Sequence, residues 1–218
     1  VYIWDYYKPL MVAIGCVILA ISIGVSIYHN LQINTLLNVY FINCNSMEAD
    51  GDAIAADFAA YLGGIGEKDE IHIDTMTTLD DEDLSNYGTA NQMKMTAYIA
   101  AGDVDVLLLN QSAYDKYDGS GAFCNLSTVL TKEQLSQWSD ILVYGTIEKQ
   151  TESESEAGSD ETGSDGGKEV PVALQMQDAA IVKNFNAYYG EPVYAVILGN
   201  SKHTEMAAEF LGYLLNEE

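Results

Sequence analysis

Residues 93–110 read MKMTAYIAAGDVDVLLLN, and the class of fold turns on them. The first part belongs to a helix over 89–101, closed by Gly102, a residue suited to the left-handed turn after a helix. The second part, 104–109, is a short, strongly apolar run with valines, which reads as a buried strand.

Upstream the same alternation repeats. Residues 36–43, LLNVYFIN, are apolar, β-branched and aromatic, and predict a first strand. A helix over 48–62 follows. Ile54, Phe58 and Leu62 share one face, Glu48 and Asp50 suit its first turn, and Gly63-Gly64 ends it. Residues 70–75, EIHIDT, form a shorter second strand. Strands alternating with helices imply parallel pairing and right-handed crossovers, so the expectation is α/β with a single doubly wound, mostly parallel sheet lobe.

Downstream the pattern loosens. Residues 118–121 are a turn, and Thr131-Lys-Glu-Gln134 is a capping-box start for a short helix reaching Trp138. Residues 142–147 and 170–176 look like strands. Between them 148–169 is rich in Glu, Ser, Gly and Asp, with no aromatic residue, and predicts a disordered acidic hairpin tip. A last strand at 193–198 leads to a helix over 201–215, with Ala207, Phe210, Leu211 and Leu214 inward.

At the other end, residues 10–27, LMVAIGCVILAISIGVSI, carry no charge. At 1.5 Å per residue the run nearly crosses a ~30 Å hydrocarbon layer. Trp4, Tyr6, Tyr7 and Tyr28 flank it as interfacial aromatics, and Lys8 directs the N-terminus to the cytoplasm. The expectation is an N-terminal transmembrane helix: a membrane anchor over 1–30, and a cell-membrane, single-pass protein. An extracytoplasmic domain over 31–147 and 170–218 would follow, interrupted by the acidic insertion 148–169.

Composition narrows the partners. The chain has 33 acidic residues against 9 basic ones, all lysine, for a formal charge of -24. Such a polyanion repels phosphate backbones, which excludes nucleic acid. Without arginine there is no bidentate clamp for phosphate or carboxylate ligands. Neutral polar solutes, cations or a basic protein remain.

In open parallel sheets ligands sit beyond the carboxyl ends of the strands. Here that edge carries Asn43, Asn45 and Ser46 after strand one, and Thr75 and Thr77 after strand two. Asn110, Gln111 and Ser112 follow strand three; Gln175, Gln177 and Asp178 follow the 170–176 strand. This set suits a sugar or another hydroxyl-rich ligand, with Tyr114, Tyr117, Tyr188 and Tyr189 as stacking faces. The competing reading is that loops after strands are polar for capping and turns. Cys44 and Cys124 fall near the same edge, either as a disulfide or as two free, half-buried thiols. The carboxylates at 80–83 read as a calcium cluster or as a solvated loop, without regular calcium-loop spacing. Zinc spacing, Gly-x-Ser-x-Gly and a phosphate-cradling glycine loop are all absent from the sequence, which argues against an enzyme and against a cofactor.

Residues 93–110, with Ala-Ala-Gly-Asp leading into an Asp-containing apolar strand, resemble the extracytoplasmic solute-binding proteins of bacterial ABC transporters. Residues 121–127, GAFCNLS, are similar to a loop of that family, and 193–215 to its last strand and helix. The resemblance implies a periplasmic-binding-protein-like lobe. Family members have two lobes, whereas the space for a second one here is only 126–170, so a single lobe, or a lobe and a vestige, is expected. The implied function is a non-catalytic accessory or partner-binding subunit at the cell envelope. The alternative is the substrate-binding receptor of an ABC transporter, or a sensor, for a sugar-like neutral ligand.

Overall fold

The computed structural model describes residues 2–30, 33–44, 49–79, 86–146, 169–179, 182–183 and 187–216. The acidic stretch 148–168, the carboxylates at 80–83, and Asn45 and Ser46 lie outside the described residues.

The chain divides into two compact units. The first holds helix α1 (Tyr2–Asn30), the start of strand β1 (Asn34–Ile42), and residues 66–70. Within it Asn34 N donates to the Lys68 carbonyl at 2.7 Å, and the Asn34 amide to Asp69 at 2.9 Å. Met11, Ile18 and Val25 of α1 are all more than half exposed.

Among the described residues no helix is long and apolar enough to cross a membrane. The transmembrane span expected at 10–27 is therefore not supported.

The second unit is the α/β body. After β1 come α2 (Gly51–Tyr61), β2 (Asp69–Asp74), α3 (Asn86–Ala101), β3 (Val106–Asn110) and α4 (Gln111–Tyr117). A 3-10 turn at Leu126–Thr128 and α5 (Lys132–Gln137) lead to β4 (Leu142–Thr146) and β5 (Glu169–Gln175). Strand β6 (Val193–Ile197) and helix α6 (Thr204–Leu215) complete it.

The six strands form one sheet in the order β2-β1-β3-β6-β5-β4. The expected mostly parallel sheet is corrected to a mixed one. Strands β1 and β3 are parallel, but β3 with β6, β6 with β5, and β5 with β4 are all antiparallel. The physical reason is that, among the described residues, the alternation of strands and helices holds only as far as β4. Strands β4 and β5 pair with each other as consecutive antiparallel neighbours, and β6 returns between β3 and β5, running against both.

Alternate residues feed two cores, as the period of two requires. Leu37, Val39 and Phe41 of β1, with Val106 and Leu108 of β3, meet Ile54 and Phe58 of α2 and Phe210 and Leu211 of α6. Tyr40, Ile42, Leu107 and Leu109 point the other way, to Met95 of α3 and Ala113 and Tyr114 of α4. In β5 both Val172 and Ala173 face the second core, where the register with β4 shifts.

Candidate functional site

The carboxyl edge of β1 and β3 is a chain of hydrogen-bonded side chains. Asn43 ends β1 with φ 57°, a left-handed conformation that asparagine tolerates better than most residues. Its side-chain oxygen accepts from Leu79 N at 2.7 Å. Its amide donates to the Leu79 carbonyl at 3.3 Å and to Asn110 Oδ1 at 3.1 Å. Asn110 caps α4 through Ala113 N at 3.1 Å and donates to Glu191 Oε2 at 3.4 Å. Gln111 accepts from the Tyr194 hydroxyl at 2.6 Å and donates to Asp115 at 2.7 Å.

Behind this chain Tyr114 stacks on Tyr194, ring centroids 4.3 Å apart, and on Phe123 at 5.7 Å. Burial, then the charges of Asp118, Tyr194 and Asp115, push the Tyr114 hydroxyl up to about 12. Tyr188 is fully buried and donates to the Leu108 carbonyl at 3.1 Å; burial holds its hydroxyl well above the ordinary value. Its neighbour Tyr189 is exposed, at φ 51°, in a turn where Glu191 N bonds the Tyr188 carbonyl.

The structure thus gathers Asn43, Asn110, Gln111 and Tyr114 from the sequence-predicted set. Others serve local turns. Buried Thr75 donates to the Ala49 carbonyl at 2.7 Å, and Thr77 to Asp74 at 3.0 Å. Gln175 donates to Gln177 at 3.1 Å, and Ser112 is an exposed residue of α4. Asp178 pairs with Lys183 at 2.9 Å on the surface, and that ammonium holds its carboxyl below the usual range. Glu191 and Tyr194 were missed. They reach this edge because β6 runs antiparallel to β3, so its start and not its end lies beside Asn110.

Cys44 and Cys124 are not joined in a disulfide; both are thiols, the first buried and the second half-buried. Burial pushes the Cys124 thiol up, against a hydrogen bond with Thr128 that pulls it down, so it is poorly suited to act as a nucleophile.

A second constellation surrounds Asp105, which is 2% exposed. One carboxylate oxygen accepts from Ser201 Oγ at 2.6 Å. The other accepts from Asn38 N at 2.8 Å and lies 3.0 Å from His203 Nδ1. Serine, histidine and aspartate are all present, but the carboxylate stands in the middle. Ser201 bonds Asp105 rather than the imidazole, so no base is set against the hydroxyl in the manner of a nucleophilic triad. The cluster fastens β1, β3 and the start of α6 together.

Two of the hollows among the described residues bear on a site. One, of about 450 Å³, lies at the start of α2 between Asp50, Asp52, His72 and Asp74. Asp50 is spent capping Asp52 N, and Asp74 accepts from Met76 N, Thr77 N and the Thr77 hydroxyl. The other, of about 400 Å³, lies beside Leu36, Lys202 and His203. Among the described residues no group of three or more His, Cys, Asp or Glu is arranged to hold a metal ion. No family model, curated protein or solved structure matches the chain.

Proposed function

We propose that this chain is a non-catalytic partner-binding module of the accessory kind, derived from a solute-binding lobe. One observation carries the reading. The amides at the carboxyl edge, where a solute would sit, are spent on one another and on backbone: Asn43 on Leu79 and Asn110, Asn110 on Ala113 and Glu191, Gln111 on Tyr194 and Asp115. A solute would have to break those bonds and match them, which removes most of the gain. The charge of -24 favours a basic protein as the partner. The resemblance at 93–110 and 193–215 supports the origin and an extracytoplasmic setting.

Crosslinking in intact cells tests this directly. A defined complex with one other protein is expected; recovery of monomer alone counts against it. The receptor reading keeps one observation in its favour, the exposed Tyr189 held in a left-handed conformation beside Glu191. A thermal-shift screen separates the two. A solute at 100 times its dissociation constant stabilises by about 2.7 kcal/mol. No shift is expected with sugars, amino acids or Ca²⁺, and a clear one with any of them would favour the receptor.

A further inference from the structure

The two outermost strands of the sheet are built differently. Strand β2, DEIHID, is guarded by Asp69, Glu70, His72 and Asp74. Strand β4, LVYGT, has no charge and no proline, and Tyr144 on it is 57% exposed. Charges and prolines are how natural sheets stop an edge from taking up another strand. Among the described residues no strand pairs with the outer side of β4. Its one irregularity is the register shift toward β5 between Val143 and Tyr144.

The surroundings of β4 are acidic. Exposed Asp140 precedes it, exposed Glu169 pairs with Thr146, and the exposed Asp118 carboxylate stands beside Gly145. We infer that the outer edge of β4 is a docking strand for an extended, lysine- or arginine-rich segment of another protein. That segment adds to the sheet through main-chain hydrogen bonds, over about 16 Å at ~3.3 Å per residue. Its basic side chains meet the acidic rim, which sets partner choice and association rate. A second copy of this chain is the poorer occupant, because it brings a charge of -24 against -24. This assignment rests on the partner-binding reading and gives that reading its surface.

The test uses the whole chain and a peptide of alternating lysine and valine as the probe. Amide hydrogen exchange over Leu142–Thr146 should slow when the peptide is added. Tyr144→Lys should weaken binding ~tenfold and Tyr144→Glu should not, whereas Met93→Lys, an equal charge change on α3, should leave it within about twofold. Three results overturn the assignment: protection confined to other segments, equal binding of a proline-interrupted peptide of the same charge, or concentration-dependent protection of β4 without peptide. If β4 fails in these ways while the crosslinked complex still forms in cells, only the surface is wrong. If cells yield monomer and a solute stabilises the chain, the partner-binding reading itself falls.

Discussion

Asp105 shows what one residue carries. It is a buried carboxylate with three donors around it: a backbone N–H, a hydroxyl and an imidazole. Removing the acceptor takes away the carboxylate that the half-buried Asn38 N–H and Ser201 hydroxyl donate to, which costs more than the bonds were worth. Asp105→Ala should therefore lose about 3 kcal/mol, read as a lower urea midpoint at unchanged slope. Asp105→Asn keeps one acceptor and should lose less; equal losses would show that charge alone matters. Tyr114 gives a pH prediction with a definite sign. Its folded value, about 12, lies above the ordinary 10, so folding favours the neutral phenol. Its contribution is whole below pH ~10 and is lost as pH rises from ~10 to about 12. Tyr40, pushed up to about 12 chiefly by burial, adds a second loss in the same window. Tyr114→Phe keeps the ring stacking and has no proton to lose. Its urea midpoint should fall less steeply through this window than that of the parent chain, and an equal slope would refute the assignment. Neither set of partners was legible in the sequence. Asp105 reads there as a structural carboxylate of a strand, and its partners do not show because they come from positions 38, 201 and 203, far away along the chain.

Elements were more legible than their directions. The box Thr131-Lys-Glu-Gln134 was read from spacing, and the structure has both halves: Thr131 Oγ1 accepts from Gln134 N at 3.2 Å, and Gln134 Oε1 from Thr131 N at 2.9 Å. Helix α5 is six residues long, too short to persist without its cap. Thr131→Ala should make its opening about 1 kcal/mol easier, seen as roughly fivefold faster amide exchange across α5. Unchanged exchange would mean that packing of Trp138 and Leu135, not the cap, holds it. The strands were legible for a similar local reason, since apolar runs such as 104–109 mark burial. Their direction was not. A period of two states which face a side chain takes, and the same alternation serves a parallel or an antiparallel neighbour. That single ambiguity hid β6's orientation, and with it Glu191 and Tyr194 at the candidate site. Asn43 and Asn110 were found because they end strands β1 and β3, whose parallel pairing the helical crossovers do dictate.

For the molecule as a whole the governing quantity is charge. Thirty-three acids against nine lysines leave most carboxylates without a cation to face. The ion pairs Lys183–Asp178 and Lys202–Asp103 are both exposed, so solvent and salt screen them and they stabilise little. Self-repulsion in the compact state should outweigh them. Salt screens both effects, but repulsion is the larger sum, so added salt should stabilise this chain. Raising sodium chloride from ~0.01 M to ~1 M shortens the screening length from ~30 Å to ~3 Å. The melting temperature should climb steadily over that range, each kcal/mol gained appearing as about 2–4 °C at this chain length. A fall would mean that attractive pairs dominate after all. Magnesium chloride at matched ionic strength adds a sharper contrast. Diffuse screening gives similar gains for the two salts, whereas a bound divalent cation would stabilise by its own occupancy. Where screening alone acts, the two curves nearly coincide. An early, saturating rise with magnesium would instead direct attention to the carboxylates at 80–83.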